Sequence, residues 1–295
     1  MSTPRTPCPP PKAFSLAGVG LVISTLLLLA AVLLLTGCAT YGPERPGEKI
    51  YRDVLFAAPD GHKLRMDLYV PRSDRPVPVV LWMFGGCWRF GSKGYHVNVR
   101  DLTSCGIAVA SIQYRMSYQA VYPAQLHDCQ AAAQWLRDHG TEYGIDATRM
   151  GASGESSGGQ LAAMLAATEG RERIRAVCML YTPTDMVDLA QLHAKRHGLS
   201  LVDKLFGGRI EEKLDLAIQA SPIHHISPST PPALIIHGQF DGVVPIQQSE
   251  RYHFALTDAG IESTFLVAHD QHHWFRLDND LFAGVSVFFQ RHLKR

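Results

Sequence analysis

A serine between glycines is the pattern in this sequence that most directly indicates chemistry. The run Gly154-Glu155-Ser156-Ser157-Gly158 fits Gly-x-Ser-x-Gly, with an apolar stretch before it and a helix-forming stretch after it. A serine at a sharp strand-to-helix turn keeps its hydroxyl clear of its own backbone, and flanking glycines let strand and helix approach closely. Ser156 is therefore the candidate nucleophile for acyl transfer, although so short a pattern also arises by chance.

A serine nucleophile needs a base to take its proton and a carboxylate to orient that base. Asp241 follows the apolar run 232–237, and catalytic residues of open α/β sheets lie at such strand ends. On its own, the Asp-Gly dipeptide at this point favours an ordinary turn. A later strand-like run leads into a loop with His269, His272 and His273. Spacing does not decide which of them is the base, or whether they form a surface cluster.

The oxyanion of an acyl-transfer intermediate needs backbone N–H donors. The amide of Ser157 comes directly after the candidate nucleophile and lies at a helix N-terminus, where the positive end of the helix dipole favours an anion. The second donor is expected in the loop after the third strand, from Gly86 or Cys87. These three residues are the candidate oxyanion hole.

Several partners are not predicted. His193 and His197 have the i, i+4 spacing of a helical metal pair, but no third ligand stands out, so we interpret them as a solvated helix face. We expect no metal ion and no cofactor. A formal net charge of +1, with no block of Lys and Arg, gives no attraction for nucleic acid. The sequence does not indicate an oligomeric state.

The elements that must position these residues alternate along the chain, which has 295 residues, 46% of them hydrophobic. Predicted strands cover 50–57, 62–70, 77–84, 107–114, 149–153, 174–181, 233–237 and 263–267. Predicted helices cover 92–104, 123–139, 160–168, 246–259 and 281–291. The first two strands form an antiparallel hairpin at a sheet edge. The later alternation predicts one α/β domain, 50–295, with a mainly parallel sheet covered by helices on both faces.

The interval 182–232 interrupts this alternation. It is rich in charged residues and has a helical pattern. We predict an inserted cap over the strand ends rather than a separate domain.

The first 40 residues differ from the rest of the chain. Arg5 and Lys12 precede the apolar run 13–36, and Cys38 follows small residues, which resembles a bacterial lipoprotein signal. The resemblance implies a signal peptide at 1–37, lipidation of Cys38 and an envelope location outside the cytoplasm. An uncleaved membrane anchor is the alternative. The segment 38–49 is then a tether that should not pack deeply.

Six motifs in a fixed order resemble the α/β-hydrolase esterases that are like hormone-sensitive lipase, and within them the carbohydrate and feruloyl esterase-like group of BD-FAE type. The motifs lie at 79–88, 113–128, 154–159, 221–224, 231–245 and 273–275. The resemblance implies an α/β-hydrolase fold and hydrolysis of small or short-chain acyl esters. It further implies Ser156 as nucleophile, Asp241 as acid and His273 as base, with His272 as the alternative base.

The oxyanion loop departs from that family. The family has His-Gly-Gly-Gly before the aromatic residue, whereas this chain has Phe84-Gly85-Gly86-Cys87-Trp88. Phe84 cannot make the hydrogen bonds with which a histidine braces the loop, and Cys87 adds a side chain that narrows the site. Hydrolysis of formamides or amides by the same residues, and an idle binding lipoprotein of the envelope, are therefore the alternative functions.

Further residues of the chain have structural interpretations. Cys87, Cys105, Cys129 and Cys178 remain after signal removal, and an oxidising compartment permits a disulfide among them. Glu155 and the pair of Asp128 with Arg115 are expected to have structural rather than catalytic roles.

Overall fold

The computed structural model describes residues 43–95, 97–197 and 201–294. The predicted signal peptide, 1–37, and the candidate lipidation residue Cys38 lie outside the described residues. None of the helices described in this part of the chain has the length and apolar character needed to cross a bilayer.

Eight strands within the described residues form one sheet. They are β1 (Glu48–Ala57), β2 (Leu64–Pro71), β3 (Val77–Met83), β4 (Ala108–Ile112), β5 (Ile145–Glu155), β6 (Val177–Leu180), β7 (Ala233–Gly238) and β8 (Ser263–Ala268). Their order across the sheet is β1-β2-β4-β3-β5-β6-β7-β8. β2 pairs antiparallel with both β1 and β4, and every later pair is parallel. The predicted edge hairpin and mainly parallel sheet are confirmed.

Helices of the described residues follow the strands. They are α1 (Ala124–His139), α2 (Ser157–Glu169), α3 (Met186–His197), α4 (Leu201–Phe206), α5 (Leu214–Gln219), α6 (Gln247–Asp258) and α7 (Asn279–Leu293). Side chains of α1, α2 and α6 belong to one buried cluster, and those of α7 belong to a second. The sheet is therefore covered on both faces, as predicted for this fold class.

Strand β3 shows why the central strands are apolar without interruption. Leu81 and Met83 belong to the cluster that contains α1 and α2, whereas Val80 and Trp82 belong to the cluster that contains α7. All four side chains are fully buried, because successive residues of a strand point to opposite faces and both faces are covered. Burial of each such side chain contributes roughly 2 kcal/mol to folding.

The helix predicted over 92–104 is wrong. In the described residues of this interval the helical structure is a short 3-10 helix, Arg100–Cys105. Lys93 is turned inward, and its Nζ lies 2.6 Å from Asp67 Oδ1 and 2.9 Å from Asp53 Oδ1. Its backbone carbonyl accepts a hydrogen bond from the Ser111 hydroxyl. These long-range contacts hold the chain in a non-helical path that local propensity does not indicate.

The expectation that the tether does not pack deeply is wrong at its C-terminal end. Strand β1 begins at Glu48, whose carboxylate is buried and accepts hydrogen bonds from Arg100 Nη2 at 2.5 Å and from Thr103 Oγ1 at 3.2 Å. A buried carboxylate requires such partners. The fold therefore starts inside the predicted segment 38–49.

Helices α3, α4 and α5 lie in the interval 182–232, where a cap was predicted. The Gln248 side chain of α6 accepts hydrogen bonds from the amides of Thr184 and Asp185 at 2.9 and 2.8 Å. On the other side, Gln160 of α2 donates to the Ala220 carbonyl at 2.7 Å. The interval is thus tied at both ends to helices that pack on the sheet.

Candidate active site

Ser156 lies at a tight corner between β5 and α2. Its backbone has φ 51° and ψ −122°, a conformation that costs free energy for a residue with a side chain. A Cβ at Gly154 would overlap the Gly158 carbonyl, and one at Gly158 would overlap the carbonyls of Met83 and Phe84. The two glycines therefore permit the close approach that the sequence pattern predicts.

The structure brings Ser156, His273 and Asp241 together, although 117 residues separate the first two in the chain. His273 Nε2 lies 3.0 Å from Ser156 Oγ, and His273 Nδ1 lies 2.6 Å from Asp241 Oδ2. A carboxylate oxygen only accepts, so Nδ1 carries the proton and Nε2 is left to accept one from the serine. The tautomer is the one that a general base requires.

His272, the alternative base, is placed elsewhere. Its side chain is exposed, and its Nδ1 lies 2.9 Å from the Phe240 carbonyl rather than near Ser156. His269 is also exposed and lies 3.4 Å from the Gln239 side chain. Of the three histidines in this loop, only His273 is hydrogen-bonded to Ser156.

Two aromatic side chains hold the ring of His273 in place. Tyr181 contacts it edge-on with ring centroids 4.8 Å apart, and Trp274 does so at 4.7 Å. Aromatic pairs favour such T-shaped arrangements. The imidazole is therefore fixed by packing as well as by its two hydrogen bonds.

The Asp241 carboxylate is fully buried and surrounded by donors. Its Oδ1 accepts from the amides of Val243 and Val244, each at 2.9 Å. Burial opposes ionisation, but hydrogen bonds from His237 and His273 outweigh it and hold the pKa of Asp241 well below its ordinary value. Asp241 is consequently ionised at neutral pH and serves as an acceptor.

His237 is a site residue that the sequence analysis missed. It lies in β7, fully buried, with Nε2 3.1 Å from Asp241 Oδ2 and 2.9 Å from the Val244 carbonyl. Its Nδ1 lies 2.6 Å from the Ser249 hydroxyl. The sequence contains a feature that indicates this role, because His237 is a histidine inside an apolar strand, four residues before the acid. Such a histidine is buried only with polar partners.

The oxyanion loop is built from unusual backbone conformations. Gly86, Cys87 and Trp88 all have positive φ, of 125°, 55° and 56°. A Cβ at Gly86 would overlap the carbonyl of Phe90, which explains the glycine. The loop is anchored by Trp88 Nε1, which donates to Gln160 Oε1 at 3.0 Å. Cys87, Ser156 and Ser157 all line one small pocket.

Phe84 braces the oxyanion loop in a different way from the family's histidine. Its ring stacks on Tyr114 with centroids 4.5 Å apart and an interplanar angle of 16°. The Tyr114 hydroxyl donates to the Phe84 carbonyl at 2.8 Å. Stacking and a backbone hydrogen bond thus take the place of the missing imidazole.

Glu155, beside the nucleophile, is a buried carboxyl with specific donors. Its Oε2 accepts from Tyr181 Oη and from Asn98 Nδ2, each at 2.7 Å. Burial raises the pKa of Glu155 to about 7, while bonds from Tyr181, the Gly85 amide and Asn98 act in the opposite direction. Glu155 therefore links the oxyanion loop to the tyrosine that packs on His273.

This raised pKa has a consequence for stability. Between pH 4.5 and 7 the folded protein retains a proton on Glu155 that the unfolded chain releases, so stability falls as pH rises through this window. Between pH 4.5 and 8, we expect the free energy of unfolding of the wild type to fall by roughly 3 kcal/mol relative to that of Glu155→Gln. Urea unfolding of both proteins across this range measures the difference. Parallel profiles would contradict the raised pKa.

His193 is not on a solvated helix face, so that prediction is wrong. Its side chain is buried, and Nε2 lies 3.0 Å from the Val243 carbonyl. The side chain of His197 lies outside the described residues. Searching only the described part of the chain, we find no group of three His, Cys, Asp or Glu residues suited to hold a metal ion.

Two further expectations concern structural residues. Arg115 Nη2 lies 2.8 Å from Asp128 Oδ1 in a buried ion pair, so the predicted pairing of these residues is confirmed. The four cysteines of the described residues, Cys87, Cys105, Cys129 and Cys178, are free thiols. The permitted disulfide does not form among them.

The sequence profile of one protein family, described as BD-FAE, matches residues 66–256, which is most of the chain. This chain belongs to the BD-FAE family. The matched range includes Ser156 and Asp241 and the strands that carry them. The resemblance to the α/β-hydrolase esterases is thereby confirmed.

Proteins similar to this BD-FAE chain include two mycobacterial ones. A probable carboxylic ester hydrolase, LipM of Mycobacterium tuberculosis, is 28% identical over 59% of this chain and 44% of its own length. The esterase LipQ of the same organism is 27% identical over 80% of this chain and 60% of its own. The chain therefore spans about half the length of the curated relatives that it matches.

A solved structure supports the fold more completely. The truncated form of a carbohydrate esterase from gut microbiota superposes with a TM-score of 0.75 and 25% identity. The match covers 86% of this BD-FAE chain and 100% of that protein. The fold class predicted from sequence, an α/β-hydrolase, is confirmed.

Proposed function

We propose that this chain is a serine carboxylic-ester hydrolase that acts on small or short-chain acyl esters. The observation that carries the proposal is the hydrogen-bonded series from Ser156 Oγ through the His273 ring to Asp241 Oδ2, with distances of 3.0 and 2.6 Å. Ester hydrolases among the relatives support the reaction class. The small pocket beside Ser156 supports the short acyl chain of the proposed substrate.

Acylation is the first half of the proposed reaction. His273 Nε2 removes the Ser156 proton as Oγ attacks the carbonyl carbon, and the carbonyl π electrons move to oxygen. The amide of Ser157, with that of Gly86 or Cys87, stabilises the resulting oxyanion. The intermediate collapses, the bond to the leaving alcohol breaks, and His273 donates its proton to the alkoxide.

Deacylation repeats these steps with water as nucleophile. His273 takes a proton from water, hydroxide attacks the acyl carbon, and the tetrahedral intermediate expels Ser156, which regains its proton. Throughout, Asp241 remains ionised and stabilises the imidazolium, as its low pKa allows. The chemistry needs no cofactor.

The proposal is tested by an acyl-chain profile of the purified protein, kept in detergent because of its apolar N-terminal run. We expect turnover of 4-nitrophenyl acetate and butyrate, a decline with longer chains, and labelling by a fluorophosphonate. N-formyl amides are measured in parallel, and a preference for them would favour the alternative of formamide hydrolysis. Folded protein that neither turns over these compounds nor is labelled would instead be a binding lipoprotein.

We further propose that the chain is lipid-anchored in the bacterial envelope, outside the cytoplasm. The support is the apolar run 13–36 followed by Cys38, a pattern that predicts a domain outside the cytoplasm whether or not the signal is cleaved. Mass spectrometry of the mature N-terminus is expected to find acylated Cys38. An N-terminus at Met1 without acylation would contradict lipidation.

A further inference from the structure

The pocket beside Ser156 has walls that are mostly apolar. Leu189, Val202 and Val244 contribute to its lining, together with Cys87 of the oxyanion loop. Among these apolar side chains stands one imidazole, that of His193 from α3. A polar side chain in such surroundings calls for a chemical explanation.

The ring of His193 is fixed through one of its nitrogens. Nε2 lies 3.0 Å from the Val243 carbonyl, and because a carbonyl only accepts, Nε2 carries the hydrogen. In the neutral ring, Nδ1 then presents a lone pair. This nitrogen is buried and has no hydrogen-bond partner among the described residues, and the residue as a whole is only 7% exposed.

A buried acceptor without a partner costs free energy that a bound donor recovers. Nε2 is occupied by Val243, so Nδ1 is the ring nitrogen left for a ligand in the same pocket as the nucleophile. We propose that His193 Nδ1 accepts a hydrogen bond from a hydroxyl or N–H group of the substrate, and that the enzyme prefers hydroxylated esters. This inference rests on the proposed ester hydrolysis and specifies its substrate class.

His193 is also connected to Asp241 through the backbone of Val243. The Val243 carbonyl bonds to His193, while the Val243 amide donates to Asp241 Oδ1 at 2.9 Å. A role limited to holding this loop would affect all esters equally, whereas recognition of a donor changes the preference between esters. The ratio of two kcat/KM values separates the two roles.

The hydroxyl can belong to either half of the ester, so the experiment has two arms. The acyl arm compares ethyl lactate with ethyl 2-methylpropanoate, and the alcohol arm compares 2-hydroxyethyl acetate with propyl acetate. In each pair a methyl group replaces the hydroxyl with little change of shape. Each kcat/KM is divided by the rate constant for hydroxide-catalysed hydrolysis of the same ester, which corrects for differences in intrinsic reactivity between the esters.

Two variants of the full chain are compared with the wild type. His193→Gln retains a terminal N–H that can reach the Val243 carbonyl, and an amide oxygen on a flexible side chain replaces the ring acceptor Nδ1. His193→Phe removes both nitrogens. The matched control is His253→Gln, because His253 lies on α6, bonds to Ser263 and does not line the pocket.

We expect the wild type to favour the hydroxylated ester by about tenfold or more in at least one arm. In His193→Phe this ratio falls towards one, in His193→Gln it falls at least in part, and in His253→Gln it is unchanged. A wild-type ratio near one in both arms, or a ratio that survives in His193→Phe, overturns the inference. Absence of hydrolysis of all four esters overturns the proposed function instead, and with it this inference.

Discussion

Ser156→Ala is expected to lower kcat for a 4-nitrophenyl ester by roughly a million-fold and to abolish fluorophosphonate labelling. Without Oγ no acyl-enzyme forms, and the oxyanion donors with the remaining binding contacts supply only residual catalysis. KM changes little, because the hydroxyl contributes mainly to the transition state. Discontinuous assays over hours measure turnover. Mass spectrometry of the protein after exposure to the fluorophosphonate measures labelling.

The matched control is Ser153→Ala. Ser153 lies in the same strand and is fully buried, but it is not part of the hydrogen-bonded series. Its variant should retain labelling and turnover. If Ser156→Ala still forms a covalent fluorophosphonate adduct, another residue is the nucleophile and the proposed mechanism fails.

Much of the fold follows from features that are local in the sequence. The uninterrupted apolar character of β3 indicates a strand covered on both faces, and alternation of strands and helices indicates a parallel sheet. The same reasoning predicts that Ser156 and Asp241 follow strands and therefore lie on the side of the sheet formed by the carboxyl ends of its parallel strands. Their approach to within hydrogen-bonding reach of His273 is then a consequence of topology.

Other features depend on partners far along the chain and could not be predicted. The segment predicted as a helix at 92–104 is held instead by Lys93, whose carboxylate partners are Asp53 and Asp67. His193 has helical spacing with His197, but whether that helix face meets solvent or the pocket depends on how 182–232 folds back. Spacing describes one helix and contains no information about its neighbours.

The oxyanion loop shows a third kind of difference. From sequence, Phe84 is only a lost histidine, and the loop is expected to lose its brace. In the structure the ring stacks on Tyr114, and Trp88 bonds to Gln160. The replacement is compensated by residues of two other segments, so a single departure from a motif does not establish that the loop is impaired.

His273→Ala is expected to lower kcat by roughly a million-fold, while His272→Ala lowers it by less than tenfold. His273 alone of the two bonds to both Ser156 and Asp241, and loss of the base from such a unit costs about as much as loss of the nucleophile. His272 is exposed, and its Nδ1 lies 2.9 Å from the Phe240 carbonyl. The kcat of each variant is measured with 4-nitrophenyl acetate, and its thermal unfolding midpoint is measured to show that it is folded.

The two variants test the choice that spacing leaves open. His272 and His273 are neighbours in one loop and undergo the same change to alanine, so each variant serves as the control for the other. A folded His273→Ala protein with near wild-type kcat, or a large loss in His272→Ala alone, would assign the base to His272. That result would require the loop to move during turnover, because His272 and Ser156 are not hydrogen-bonded in the structure.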